Sequence, residues 1–213
     1  MVLRMSVAPF RLTNFFAAAV VCALAGQATA DCLTADDLRA GIVAEADDGL
    51  FEVFRAIGPN MIELTIDFGD GVVAHDRMAH GVYLTEGVDY EYGQKLNDTL
   101  VTVRFPAEPS DLPLPAENTV WNVAVTGKDS IGRFREDQEY RWGSATNVVY
   151  NNCRYVMIPG TIRTEVDGFW TMEDIQYLPE LGLSLQLSFS DADDQTGYRR
   201  SYLALRPAGA ETK

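Results

Sequence analysis

Leu183-Ser-Leu-Gln-Leu-Ser-Phe-Ser190 alternates apolar and polar residues over eight positions. Successive side chains of a β-strand point to opposite faces. This period therefore puts Leu183, Leu185, Leu187 and Phe189 on one face and Ser184, Gln186, Ser188 and Ser190 on the other. On a helix the same residues would spread their leucines around the whole circumference. The stretch predicts a strand with one dry and one wet face, as found in antiparallel sheets covered on one side.

The period recurs upstream. Ile62, Leu64 and Ile66 alternate with Glu63, Thr65 and Asp67; Val101, Val103 and Phe105 with Thr102 and Arg104; Trp121, Val123 and Val125 with Asn122 and Ala124. Tyr155-Val-Met-Ile158 is apolar throughout, which predicts a strand covered on both faces at a sheet centre. Turn residues separate the runs at Phe68-Gly-Asp-Gly71, Thr126-Gly-Lys-Asp-Ser130 and Asp191-Ala-Asp-Asp194. Asp167-Gly168, between Ile162–Glu165 and Phe169–Met172, is a hairpin signal, because a two-residue type I′ turn needs positive φ at both positions. Roughly ten to twelve strands are expected.

Two stretches depart from the period. Thr34-Ala-Asp-Asp37, with Gly41 as a stop, predicts a short N-terminal helix. Pro106, Pro109, Pro113 and Pro115 make residues 106–118 an extended loop, since proline lacks the donor a ladder requires. The expected fold is mainly β: an antiparallel meander sheet, curved or partly closed into a barrel or sandwich, with a short N-terminal helix. Residues 31–213 form a single domain in this reading, with two interdependent halves split at the proline-rich loop 106–118.

The first 30 residues read as a cleaved secretory signal peptide. Arg4 and Arg11 precede an apolar run from Phe15 to Ala25, and Ala28-Thr29-Ala30 supplies small residues before a cut at Asp31. The run is shorter than the roughly 20 residues a spanning helix needs. Neither Cys22, after Val21, nor Cys32, after Asp31, follows the small residue that lipid attachment requires, so no stable membrane anchor is expected. A periplasmic or secreted protein follows from these residues.

The formal charge of −14 includes Arg4 and Arg11, so residues 31–213 carry −16. Nucleic acid and anionic lipid surfaces are bound by displacing counterions with Lys and Arg, and a field of this sign repels both. Cys32 and Cys153 are the two cysteines left after cleavage. In an oxidising compartment they are expected to form a disulfide.

Candidate chemistry is sparse. His75 and His80, the chain's two histidines, are five apart, an offset that fits neither one helix face nor one strand face, so no metal site is expected there. Asp191, Asp193 and Asp194 are spaced like the start of a calcium loop, but Gly197 comes one place late and Tyr202 stands where the closing glutamate belongs. Glu136, Asp137, Glu139, Glu173 and Asp174 supply carboxylates for acid–base hydrolysis. Tyr155, Trp170 and Tyr177 are candidates to line a ligand site, against ordinary sheet packing. No nucleophile elbow, Ser-x-x-Lys, Cys-x-x-Cys or glycine-rich phosphate loop occurs, and no cofactor is implied. The reading is an exported, soluble binding or interaction module, for an apolar small molecule or an envelope protein. A carboxylate-based hydrolase of envelope or extracellular substrates and a self-assembling structural protein are the alternatives, the last through an exposed sheet edge.

Overall fold

The computed structural model describes residues 32–209. The expected signal peptide and its cleavage site lie outside them. The described chain carries fifteen strands: β1 (Ile42–Ala46), β2 (Phe51–Gly58), β3 (Met61–Gly69), β4 (Val72–Ala79), β5 (Tyr83–Glu91), β6 (Gln94–Lys95), β7 (Val101–Arg104), β8 (Val120–Lys128), β9 (Arg133–Trp142), β10 (Thr146–Tyr150), β11 (Cys153–Val166), β12 (Phe169–Leu178), β13 (Leu183–Asp191), β14 (Tyr198–Arg199) and β15 (Tyr202–Pro207). All join one antiparallel sheet. It runs as a meander from β1 to β14, with β6 hung on β5, β10 hung on β11, and β15 returning to pair with β1. The extra strands include β6 and β14, two residues each, too short to show a period.

The sheet curls without closing. Its path ends at β14 and β15, which are adjacent in the chain and joined by Arg200-Ser201 alone. Those two residues bridge the gap: Arg200 N–H donates to the Leu187 carbonyl at 2.8 Å, and Ser201 exchanges hydrogen bonds with Asp47 beyond the end of β1. At the other end, the β12–β13 turn folds against the β4–β5 turn, where Ser184 N–H and Oγ both donate to the Gly81 carbonyl, at 3.1 and 2.5 Å. A Cβ on Gly81 would lie 2.5 Å from the Gly182 carbonyl oxygen, and its φ of +67° favours glycine independently.

Asp167 and Gly168 adopt φ of 48° and 86° and join β11 to β12 in register Val166↔Phe169, the tight hairpin the dipeptide predicts. The proline-rich segment is loop with a single 3-10 turn at Pro109–Asp111; it packs through buried Leu112, and Tyr83 donates its hydroxyl to the Pro113 carbonyl at 2.6 Å. The N-terminal helix is one 3-10 turn, Ala35–Arg39, whose Asp37 carboxylate accepts from Thr34 N–H at 2.7 Å.

Two expectations are corrected. Tyr155–Met157 is not central, because this half of β11 pairs with the two-strand flap β10 while only Gly160–Glu165 lies between β9 and β12. Val156 is accordingly exposed and Tyr155 buried. On β13, Leu183 and Leu185 are fully buried as expected, but a register shift against β12 at Asp174/Ile175 turns Phe189 to the face of Ser184 and Gln186, and that face is not turned to bulk water. Ser184 and Gln186 line an internal cavity instead.

Apolar burial forms two clusters. One gathers Leu38, Ile42, Phe54, Leu183, Leu185 and Leu205 with Tyr150 and Tyr155 of the β10–β11 flap. The Cys32–Cys153 disulfide, Cα–Cα 5.5 Å, ties the N-terminal segment to that flap. Tyr155 hydroxyl accepts from Leu33 N–H at 3.0 Å beside it. The other cluster stacks Tyr83 edge-on against Tyr140 and Trp121, with ring centroids 4.8 and 5.3 Å apart, over Val125 and Ile175.

Candidate functional site: a carboxylate-lined cavity

Between the two clusters the concave face holds a partly open cavity of ≈ 310 Å³, lined by residues from β2, β3, β4, β5, β7, β9, β11, β12 and β13. Small-molecule sites span roughly 300–1,000 Å³, so this one lies at the small end. Leu64, Ile66, Met78, Leu84, Val103 and Ile162 make much of the wall. Four carboxylates also face it: Glu52, Asp76, Glu136 and Glu173.

The strand period places each of them. In β9, Phe134, Glu136, Gln138, Tyr140 and Trp142 share the inner face, while Arg133, Arg135, Asp137, Glu139 and Arg141 share the outer one. Gln138 Nε2 donates to Glu136 at 2.6 Å and its Oε1 accepts from the Tyr140 hydroxyl at 2.6 Å. The arrangement repeats on β12–β13: Gln186 Nε2 donates to Glu173 at 2.6 Å, and Gln186 accepts from the Tyr198 hydroxyl. Each glutamate thus has one neutral donor at its carboxylate.

Glu52 is the one carboxylate of the four with a cation. Arg200 Nη1 meets its Oε1 at 2.9 Å and Tyr202 donates to its Oε2 at 2.8 Å, with Arg200 Nε also 3.3 Å from Asp48. This network ties the last strand to β2 over β1, and the Tyr202 hydroxyl also donates across the gap to the Gln186 carbonyl of β13 at 3.1 Å. Asp76, on β4, has no hydrogen-bond donor. Its carboxylate lies over Gly87 of β5, where a Cβ would come within 2.7 Å of Oδ1, so glycine makes the room it occupies.

Burial raises the affinity of these groups for protons. Asp76 is pushed up to about 6 by burial, and then by the negative charges of Asp89, Glu173 and Glu52. Burial raises Glu173 and Glu136 against the opposing hydrogen bonds from Gln186 and Gln138. Glu52 is raised by burial in spite of Tyr202 and Arg200.

The carboxylates singled out in the sequence separate by parity. Glu136 and Glu173 share the cavity. Asp137 and Glu139 border a depression on the outer face, where Glu139 pairs with Arg141 at 2.9 Å. Asp174 is also away from the cavity, accepting from Ser188 Oγ and Arg199 at 2.8 and 3.0 Å. Tyr155 is spent on the N-terminal anchor, and buried Tyr177 packs edge-on against Trp142 at 6.1 Å. Trp170 is half-buried near the β11–β12 hairpin, and none of these three aromatics lines the cavity.

The acidic turn 191–197 spends its oxygens on its own backbone. Asp191 Oδ1 accepts from the amides of Asp193 and Asp194, and Asp194 Oδ1 from the Thr196 hydroxyl and then the Gly197 and Thr196 amides, which holds the Asp194 carboxyl below its ordinary range. Among the described residues no three His, Cys, Asp or Glu side chains are placed to share a metal ion. His75 stacks edge-on against Tyr90 at 4.9 Å. His80 is buried in a left-handed turn with φ of 53°, and its Nε2 has no hydrogen-bond partner.

Sequence reasoning missed Glu52, Gln138 and Gln186 and did not connect Asp76 with Glu136 and Glu173. The signal for Gln138 was present: Phe134-x-Glu-x-Gln-x-Tyr-x-Trp142 alternates as regularly as β13, with aromatic ends and polar middle positions on one face.

The molecule is thus a curled, unclosed antiparallel sheet with a polar-and-apolar cavity inside. No protein-family model matches the chain, and no curated protein matches its sequence. Among solved structures, it is similar to the crystal structure of the hypothetical lipoprotein YmcC from Escherichia coli (K12), at 10% identity and a TM-score of 0.44, over 79% of this chain and 87% of that one.

Proposed function

We propose that the protein is an exported binding module that holds one small molecule inside its curled sheet. The cavity carries this reading: a partly open space of ≈ 310 Å³ lined from nine strands, with an apolar wall and a few convergent polar groups. Export is supported by the N-terminal signal pattern and by the Cys32–Cys153 disulfide, a bond that persists in oxidising compartments. The carboxylates narrow the ligand: a wholly apolar molecule would leave Asp76 facing it without a partner, and Glu136 and Glu173 with one glutamine donor each. A small-molecule library spanning neutral, cationic and anionic compounds, read by thermal shift, tests the proposal. Ligands of the native state raise the midpoint in proportion to RT ln(1 + [L]/Kd). Hits whose effect is abolished by Thr164→Trp, which fills the cavity from β11, support it. A library without a hit, or hits indifferent to that substitution, would remove it.

Hydrolysis is the second reading, favoured by one observation: Glu136 and Glu173, singled out as acid–base candidates, face the same cavity. Turnover of a glycoside or ester panel that is lost in both Glu136→Gln and Glu173→Gln would establish it, and turnover indifferent to them would end it.

A further inference from the structure

We propose that the cavity selects a small organic cation, an ammonium or guanidinium group on a short apolar body. The inference rests on the reading of the cavity as a ligand site and assigns its chemistry.

Charge accounting inside the sheet leads to it. Carboxylates on a surface are solvated and signify little; these are buried or half-buried and face one partly open cavity in a chain that already carries −16 beyond residue 30. Arg200 neutralises Glu52. No lysine, arginine or histidine is among the residues lining the cavity, so Asp76, Glu136 and Glu173 have no counter-cation there. A carboxylate offers about four acceptor sites. Glu136 and Glu173 each receive one glutamine N–H, and Asp76 receives nothing. Burying charge with its acceptors unmet is costly, and a donor-bearing cation relieves both deficits at once.

The shape of the site sets the rest. The carboxylates stand on β4, β9 and β12, too dispersed for a bare metal ion to be shared among them. Leu64, Ile66, Met78 and Ile162 supply an apolar wall beside them, which fits an extended ligand with a charged end and a hydrocarbon body. Phe189 and Tyr140 add aromatic surface, to which cations are also drawn. Gly87 keeps the Asp76 carboxylate free to approach such a group, since any side chain there would collide with it.

Three probes with the same body separate charge from hydrocarbon: n-hexylammonium, n-hexanol and n-hexanoate, titrated into the full mature protein at pH 7.5 in 150 mM salt and followed by ¹H–¹⁵N NMR. Saturable one-to-one binding of hexylammonium, at least tenfold tighter than hexanol and with no binding of hexanoate, is expected. Asp76→Asn and Glu173→Gln should each weaken hexylammonium at least fivefold and leave hexanol unchanged, while Glu139→Gln on the outer face should alter neither. Equal affinity for hexanol and hexylammonium would overturn the cation assignment and leave the binding module intact. Failure of all three probes to saturate would overturn both.

Discussion

Replacing Asp76 with asparagine should stabilise the protein at neutral pH and leave it nearly unchanged at pH 4. The carboxyl rises from the ordinary 3.8 of an aspartate to about 6, because burial and the nearby charges of Asp89, Glu173 and Glu52 all oppose ionisation. A carboxyl that holds its proton more tightly when folded weakens the fold once it must ionise. Below the unfolded value near 3.8 both states are protonated and there is no penalty. The penalty grows as pH rises and is complete above about 6. A tenfold change in proton affinity corresponds to about 1.4 kcal/mol, so the full effect is about 3 kcal/mol, reduced to about 2 if cavity water screens the site. For a domain of this size that is roughly 5–10 °C in Tm. Asparagine keeps the shape and removes the ionisation. Urea unfolding of both proteins at pH 4.0 and 7.5, disulfide intact, should show Asp76→Asn gaining about 2–3 kcal/mol at pH 7.5 and less than about 1 at pH 4.0. A variant no more stable than the parent at pH 7.5, or one with the same gain at both pH values, would refute the reasoning.

Other substitutions probe the frame around the cavity. Cys32→Ser with Cys153→Ser opens a loop of 121 residues and should cost about 4–5 kcal/mol in the chain-entropy model, with faster hydrogen exchange in β10 and the first half of β11. Arg200→Met strands Glu52 in a buried site and should cost about 3–5 kcal/mol in urea unfolding, most of it recovered when Glu52→Leu is added. Gly81→Ala puts a Cβ 2.5 Å from the Gly182 carbonyl, so its denaturation midpoint should fall well below that of Gly93→Ala, whose Cβ meets nothing within 4 Å; equal losses would show that only positive φ matters.

The strands were legible wherever one face is apolar. Ile62, Leu64 and Ile66 on β3 and Leu183 and Leu185 on β13 announce themselves by period, and Asp167-Gly168 by the backbone angles it alone tolerates. The cavity was not legible, because alternation tells the two faces of a strand apart without saying whether the polar one meets bulk solvent. Ser184 and Gln186 look like a wet edge in sequence, and only curling of the sheet turns them inward. Glu136 and Glu139 looked alike in a run of charges, yet an odd offset sends them to opposite faces. Tyr155–Met157 misled for a third reason: the apolar run marks a flap packed on a hydrophobic cluster from one side, which periodicity cannot separate from a strand covered on both.

The most direct test is a crystal structure of residues 31–213 grown with n-hexylammonium. Density for the ligand inside the curled sheet, its nitrogen within hydrogen-bond distance of Asp76 or Glu173 and its chain along Leu64 and Ile162, is the predicted result. An interior filled by Phe189, Tyr140 and their neighbours, with no room for a ligand, would contradict the account.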